Sequence, residues 1–142
     1  MAIIERSLTI FNDMTTLPQV RELVCHGVRD SGFPVTFVNR MQIAVDEAVT
    51  NIIEHGYEER PKGTASVWLN LRASPEEFRI EILDEGEHFD PKALGDLDIH
   101  AHVEAGHPGG LGVFLMRRIM DVVDYHCEKG QRNRLVLTKH SS

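Results

Sequence analysis

The stretch FVNRMQIAVDEAVTNIIEHG, Phe37 to Gly56, decides the fold. Its apolar residues Phe37, Met41, Ala44, Val45, Ala48, Val49, Ile52 and Ile53 recur at three- and four-residue intervals. That spacing lays a wide apolar stripe along one side of an α-helix. A helix marked in this way buries its stripe against another layer. Glu47 and Asn51 are four residues apart, so they project from one side about one turn apart. Gly56 is a residue type that ends helices, and the helix is expected to stop near His55-Gly56.

Upstream, Ser7 to Asn12 alternates well enough for a short strand. Leu17, Val20, Leu23, Val24 and Val28 then recur at helical spacing. Ser31-Gly32 ends that helix, and Pro34 is expected to open the next from its first turn. Downstream, two period-2 segments, about Ala65–Arg72 and Phe78–Leu83, read as strands joined through Ser74-Pro75. Residues 85–108 form a long irregular stretch, of the length that is usually functional or mobile. A third helix starts at Gly110–Gly112 and carries Val113, Leu115, Met116, Ile119 and Met120. Two strands, near Val122–Cys127 and Arg134–Thr138, turn at Lys129-Gly130-Gln131. The order β-α-α-β-β-loop-α-β-β predicts an α+β fold: a two-layer sandwich with helices on one face of a mostly antiparallel sheet. No strand runs directly into a glycine-rich loop and helix, which argues against the dinucleotide-binding and P-loop architectures.

The 142 residues fit one domain, 1–142, large enough to bury a core without disulfides or metals as staples. A net charge of −7 repels phosphate backbones and anionic lipid, so neither direct nucleic-acid binding nor membrane binding is expected. Cys25 and Cys127 show no paired spacing and read as small core residues of a reduced compartment. Charge interrupts the apolar N-terminus, so no signal peptide is expected, and no apolar run approaches the ~20 residues of a membrane span. A cytoplasmic protein is expected.

Three short segments carry chemistry. Glu47 and Asn51 can hold a hard cation such as magnesium, directly or through water, and the carboxylate can accept a proton from a hydroxyl; taken alone, the pair is better read as an ordinary solvated helix face. Asp84-Glu85-Gly86 follows an apolar strand. Its aspartate can accept a hydrogen bond from an exocyclic amine and its glycine lets a ring approach, although Asp and Gly also make simple turns. Gly109-Gly110-Leu111-Gly112 leads into an amphipathic helix, whose free N–H groups and positive end suit an anion, or it is a hinge. His88, His100, His102 and His107, with Asp96 and Asp98, match no compact metal-ligand motif, so no transition-metal site is expected.

Taken in order, these segments resemble the GHKL ATPase superfamily of gyrase, Hsp90, histidine kinase and MutL. Asp46 to Tyr57 is similar to its N-box helix. Asp84-Glu85-Gly86 with Phe89-Asp90-Pro91 is similar to the first glycine box in its short form. Gly109 through Arg117 to Asp121 and Tyr125 is similar to the second. The resemblance covers roughly residues 8–139 and is nearest to the stand-alone anti-sigma-factor serine kinases of the RsbW and SpoIIAB type.

The resemblance implies a Bergerat-type ATP-binding fold with ATP and Mg2+ as cofactors. It implies Glu47 as general base, Asn51 as magnesium ligand and Asp84 as the adenine-reading residue, with Gly86 beside it. Gly109, Gly110, Leu111 and Gly112 would form the phosphate-contacting end of an ATP lid, about 87–108. This chain departs from the pattern at His88, where many relatives have a second glycine. It departs again at Asn133, where a threonine is common and where the amide can still hydrogen-bond a nucleotide or the lid. Arg60, Arg117, Arg118 and Lys139 are candidates to neutralise the γ-phosphate. The implied function is a serine/threonine kinase that phosphorylates a STAS-type anti-anti-sigma protein, binds a sigma factor and forms a homodimer. The alternative is a nucleotide-gated binding module without significant kinase activity. A histidine autokinase core fits poorly, because the chain has no dimerising hairpin with a phosphoacceptor histidine.

Overall fold

The computed structural model describes residues 3–56, 61–86, 108–127 and 132–142. Its regular elements are β1 (Ile4–Phe11), α1 (Leu17–Ser31), α2 (Val38–Asn51), β2 (Ser66–Ala73), β3 (Glu77–Asp84), α3 (Pro108–Ile119), β4 (Val122–His126) and β5 (Asn133–His140). Among the described residues, the expected order of strands and helices is the order found, while residues 87–107 of the expected long loop lie outside them. Among the described residues the strands form one antiparallel sheet, ordered β1-β2-β3-β5-β4.

Alternation in β2 and β3 gives the sheet a buried inner face, while in β5 Val136 and Thr138 are buried as well. Val67, Leu69 and Leu71 of β2, Ile80 and Ile82 of β3, and Leu135 and Leu137 of β5 are buried, and the register pairs them across the strands. This inner face joins Val20, Val24 and Val28 of α1 and Met41, Ala44, Val45, Ala48 and Val49 of α2 in one apolar cluster. A helix stripe and a period-2 face are thereby buried together, the arrangement that defines a two-layer α+β sandwich. α1 lies close on β2 because Gly27 has no side chain: an added Cβ would fall 2.2 Å from Leu71 Cδ2. α2 packs against both α1 and α3, and Arg21 Nε bridges α1 to Asp46 of α2 at 2.8 Å.

Several local expectations shift. α1 ends at Gly32, which takes the left-handed φ of 80°, as a helix stop of this kind requires. Pro34 has an extended ψ of 124° and heads a 3-10 turn, Val35–Phe37, before α2 begins at Val38. α2 then runs on as a π-helical turn, Ile52–Gly56. α3 starts at Pro108, a residue suited to a first helical turn because it has no N–H to leave unpaired. Leu115 and Cys127 were expected inside and are exposed. Leu115 precedes the fully buried Met116 and so takes a different side of α3; Cys127 follows the edge strand β4 rather than lying within it.

The register also defines two ends of the sheet. At one end Phe11 pairs with Ser66, Val67 with Asp84, and Asp84 with Asn133. Asn12 fastens the approach to β2 there: its Nδ2 donates to Pro61 O at 3.1 Å and its Oδ1 accepts from Ala65 N at 3.0 Å. Five Cα steps separate Gly56 from Pro61, so the end of the α2 helix lies within about 19 Å of this end. At the opposite end α3 hands over to β4, where Asp121 N donates to Thr138 O. There the Asp121 carboxylate accepts from His140 N at 2.7 Å and Lys139 Nζ at 3.2 Å. These donors, the His140 amide foremost, hold its pKa below the ordinary aspartate value.

Candidate functional site

Asp84 is the last residue of β3 and Asn133 the first of β5, and the sheet sets them directly opposite each other. Both side chains lie on the inner face, at 3% and 2% exposure. Asn133 Nδ2 donates to Asp84 Oδ1 at 2.9 Å and to Gly86 O at 3.0 Å. Gly86 N also donates to Asp84 Oδ1, at 2.9 Å. Both partners of the Asn133 nitrogen are acceptors, so the amide orientation is fixed by chemistry. The structure therefore brings together Asp84, Gly86 and Asn133, which the sequence named from stretches almost fifty residues apart. A buried carboxylate needs such donors, because each unpaired buried polar atom costs roughly 1–3 kcal/mol.

Glu47 and Asn51 occupy the last turns of α2. Glu47 is half-buried and makes no hydrogen bond or ion pair among the described residues. Burial, then the neighbouring carboxylates of Glu54 and Asp46, push its pKa above the ordinary glutamate value. Asn51 is 2% exposed, and its Nδ2 has no hydrogen-bond partner among the described residues. A buried amide with an open donor beside crowded carboxylates suits a bound polar group and a compensating cation. Among the described residues no group of three or more His, Cys, Asp or Glu could hold a metal alone. Magnesium takes one or two protein oxygens and completes its shell with water and phosphate. The Asn51 amide oxygen is an oxygen donor of the right kind.

Gly109, Gly110, Leu111 and Gly112 form the opening of α3. In a helix that begins at Pro108, the N–H groups of Gly109 and Gly110 have no intrahelical acceptor, while Leu111 and Gly112 fall within the ladder. The segment read as a lid lies outside the described residues up to 107, as do His88, His100, His102, His107 and Arg60. Of the cations named from the sequence, Lys139 belongs to the opposite end of the sheet. It stands six residues from Asn133 along β5, about 20 Å in an extended strand, and it serves Asp121. Arg118 lies over the Phe114 ring at 5.0 Å, and Arg117 is half-buried on α3.

Two features escaped the sequence reading. One is the Asn12 anchor described above. The other is a clasp on the outer face of the sheet, one residue beyond the Asp84–Asn133 pair. Arg132 Nε meets Glu85 Oε1 at 3.3 Å, and the Arg132 guanidinium sits 3.8 Å from the centroid of the Trp68 ring. The outward position of Trp68 in β2 was the available signal, but its partner, one residue before β5, is remote in sequence.

The sequence matches the histidine kinase-like ATPase domain family over residues 11–139. This chain belongs to that family. The relatives to which it is similar include protein kinases. The serine/threonine-protein kinase BtrW of Bordetella bronchiseptica is 32% identical over 102 residues, covering 72% of this chain and 70% of that protein. The serine-protein kinase RsbW of Listeria monocytogenes is 30% identical over 114 residues, covering 78% and 70%. RsbW of Staphylococcus epidermidis is 34% identical over 93 residues, covering 63% and 58%. The resemblance carried by Glu47, Asn51, Asp84 and the glycines of 109–112 thus extends to most of the chain. No helix among the described residues is long and apolar enough to cross a membrane.

Proposed function

We propose that this chain binds ATP and transfers its γ-phosphoryl group to a serine or threonine hydroxyl of a protein partner. The observation that carries this reading is the pair of unlike carboxylates. Asp84 is fully enclosed and held by donors, whereas Glu47 is open, half-buried and raised in pKa. The first suits recognition of an adenine amine, which needs a fixed acceptor. The second suits proton abstraction, which needs a base whose pKa has moved towards the working pH.

Glu47 orients the hydroxyl and accepts its proton as the hydroxyl oxygen bonds to the γ-phosphorus and ADP leaves. Asn51 offers its amide to the phosphate side of the site. Gly109 and Gly110 direct backbone N–H groups and the positive helix end at the phosphates. Magnesium, held at Asn51, would neutralise phosphate charge.

The similarity to RsbW supports an anti-sigma reading. The substrate is then a STAS-domain anti-anti-sigma protein, the second partner is an RNA polymerase sigma factor, and the active form is a homodimer in the cytoplasm. Incubation with labelled ATP, magnesium and the cognate STAS protein tests this. Phosphoserine is expected with the wild type and its loss with Glu47→Ala. ATP binding without transfer would instead make the chain a nucleotide-gated binding module.

A further inference from the structure

The outer face of the sheet carries a second charged constellation, remote from the residues treated above. Alternation puts Arg72 of β2 and Arg79 of β3 on that face, and the register sets them directly opposite each other. Cβ atoms so placed are about 5 Å apart, and like charges there oppose the pairing of the strands. We propose that Arg72 and Arg79 form an oxyanion site that takes a phosphate group, either free or carried on a serine side chain. It is distinct from the proposed nucleotide site. Arg79 stands five residues before Asp84 in β3, about 17 Å in an extended strand, and on the opposite face.

The protein itself leaves the two guanidiniums poorly matched. Arg79 is half-buried and makes no hydrogen bond or ion pair among the described residues. Arg72 reaches only Glu5 among them, at 3.8 Å and with both side chains largely exposed. Glu81 lies two residues from Arg79 along β3, but both its oxygens are engaged, Oε1 by Asn70 Nδ2 and Oε2 by Arg134 Nε. Glu77, two residues the other way, turns to His140 at 3.9 Å. Both arginines line two hollows, of about 240 and 270 Å3, so a small anion has room beside them. Ser74 lines the first hollow with them. Its Oγ accepts from Glu76 N at 3.3 Å and from Glu77 N at 3.2 Å. Those bonds fill the two lone pairs of a hydroxyl, and its O–H remains to donate. Two guanidiniums and a hydroxyl suit the several oxygens and double charge of a phosphate better than one carboxylate. Glu77 shares the first hollow, and Glu5 and Glu81 the second. The protein's own carboxylates therefore hold the affinity down, and removing one raises it.

The test is calorimetric titration of the full chain with inorganic phosphate and with a serine-phosphorylated peptide, each against chloride at equal ionic strength. ADP and magnesium are present in excess to occupy the nucleotide site. The readout is the binding lost in Arg72→Gln and Arg79→Gln, so it stands whether or not ADP binds. Each arginine variant should weaken phosphate about tenfold, the loss of one charged hydrogen-bonding group, and Glu77→Gln should tighten it. Without phosphate the arginine variants should melt no lower than wild type, because like charges no longer face each other. Adding phosphate should raise the melting temperature of wild type more than that of either. A phosphopeptide bound more tightly than the free ion assigns the site to a phosphorylated protein, and equal or weaker binding assigns it to the ion. Phosphate binding no stronger than chloride, or binding that survives both arginine substitutions, overturns the proposal. If an arginine variant does not fold, Glu77→Gln decides, and unchanged or weakened phosphate binding there overturns the proposal equally.

Discussion

At the end of β3, Asp84 Oδ1 accepts from two donors inside the protein. On α2, Glu47 meets no donor among the described residues, and the Asn51 amide nitrogen, as buried as Asp84, meets no acceptor among them. The same fold closes one half of the candidate site and leaves the other open. The difference teaches where each half does its work. A group that recognises a constant feature gains from being fixed in advance, because ordering is then not charged against binding. A group that must take up a proton or meet phosphate keeps its valences free and bears the cost in the unbound state.

The contrast breaks most visibly at Glu47. Glu47→Gln is expected to lower phosphotransfer by at least a hundredfold, with ADP affinity by calorimetry unchanged; comparable loss of both would merge the two halves. The same variant carries a pH signature. The folded-state pKa of Glu47 lies above its ordinary value, so its ionisation opposes folding. Wild type should equal the Gln variant in stability at pH below the ordinary glutamate value. It should fall behind as pH rises from there through the raised folded-state value, and stay behind at neutral pH. Melts across that range check the sign. Activity should fail on acidification earlier than an ordinary glutamate base would.

Asp84→Asn is next. It sets an amide donor against the Asn133 and Gly86 donors, or leaves one of them unpaired, at roughly 1–3 kcal/mol. ADP binding should weaken up to about a hundredfold, and the melting temperature should fall as well. On the open side the sign of the stability change reverses. Asn51→Leu removes a buried donor without a partner and should raise the melting temperature by a few degrees, while magnesium-dependent ATP binding is lost. A fall in melting temperature would show that Asn51 is satisfied in a way the contrast denies. Arg132→Ala gives the smallest effect. Its clasp with Glu85 and Trp68 is exposed, and such pairs contribute about 1 kcal/mol or less, so ADP affinity should change no more than a few-fold.

Much of this was legible in the sequence, and the limits have physical causes. The α2 stripe and the alternation of β2 and β3 are local patterns, and each placed its element to within a few residues. Helical spacing sets Glu47 and Asn51 on one side of α2, but spacing alone favoured a solvated face, and their reading as site residues rested on the family resemblance. Asp84 and Asn133 were named separately, but their hydrogen bond depends on the β3–β5 register, which no local pattern encodes. The Arg132–Trp68 contact was hidden for the same reason. Cys127 misled because the strand-like pattern that was read through it ends one residue earlier, at His126. The 3-10 turn after Pro34 was missed because proline permits a helical start without requiring one.

Asp84 and Asn133 are 49 residues apart in the chain yet adjacent in the sheet. Everything between them, including α3 and β4, is therefore an excursion that departs and returns at one point, with the hydrogen-bonded pair as its buckle. Closing a longer excursion costs only about 0.6 kcal/mol for each doubling of length. The intervening chain can thus be lengthened or shortened at small entropic cost while the buckle stays in place.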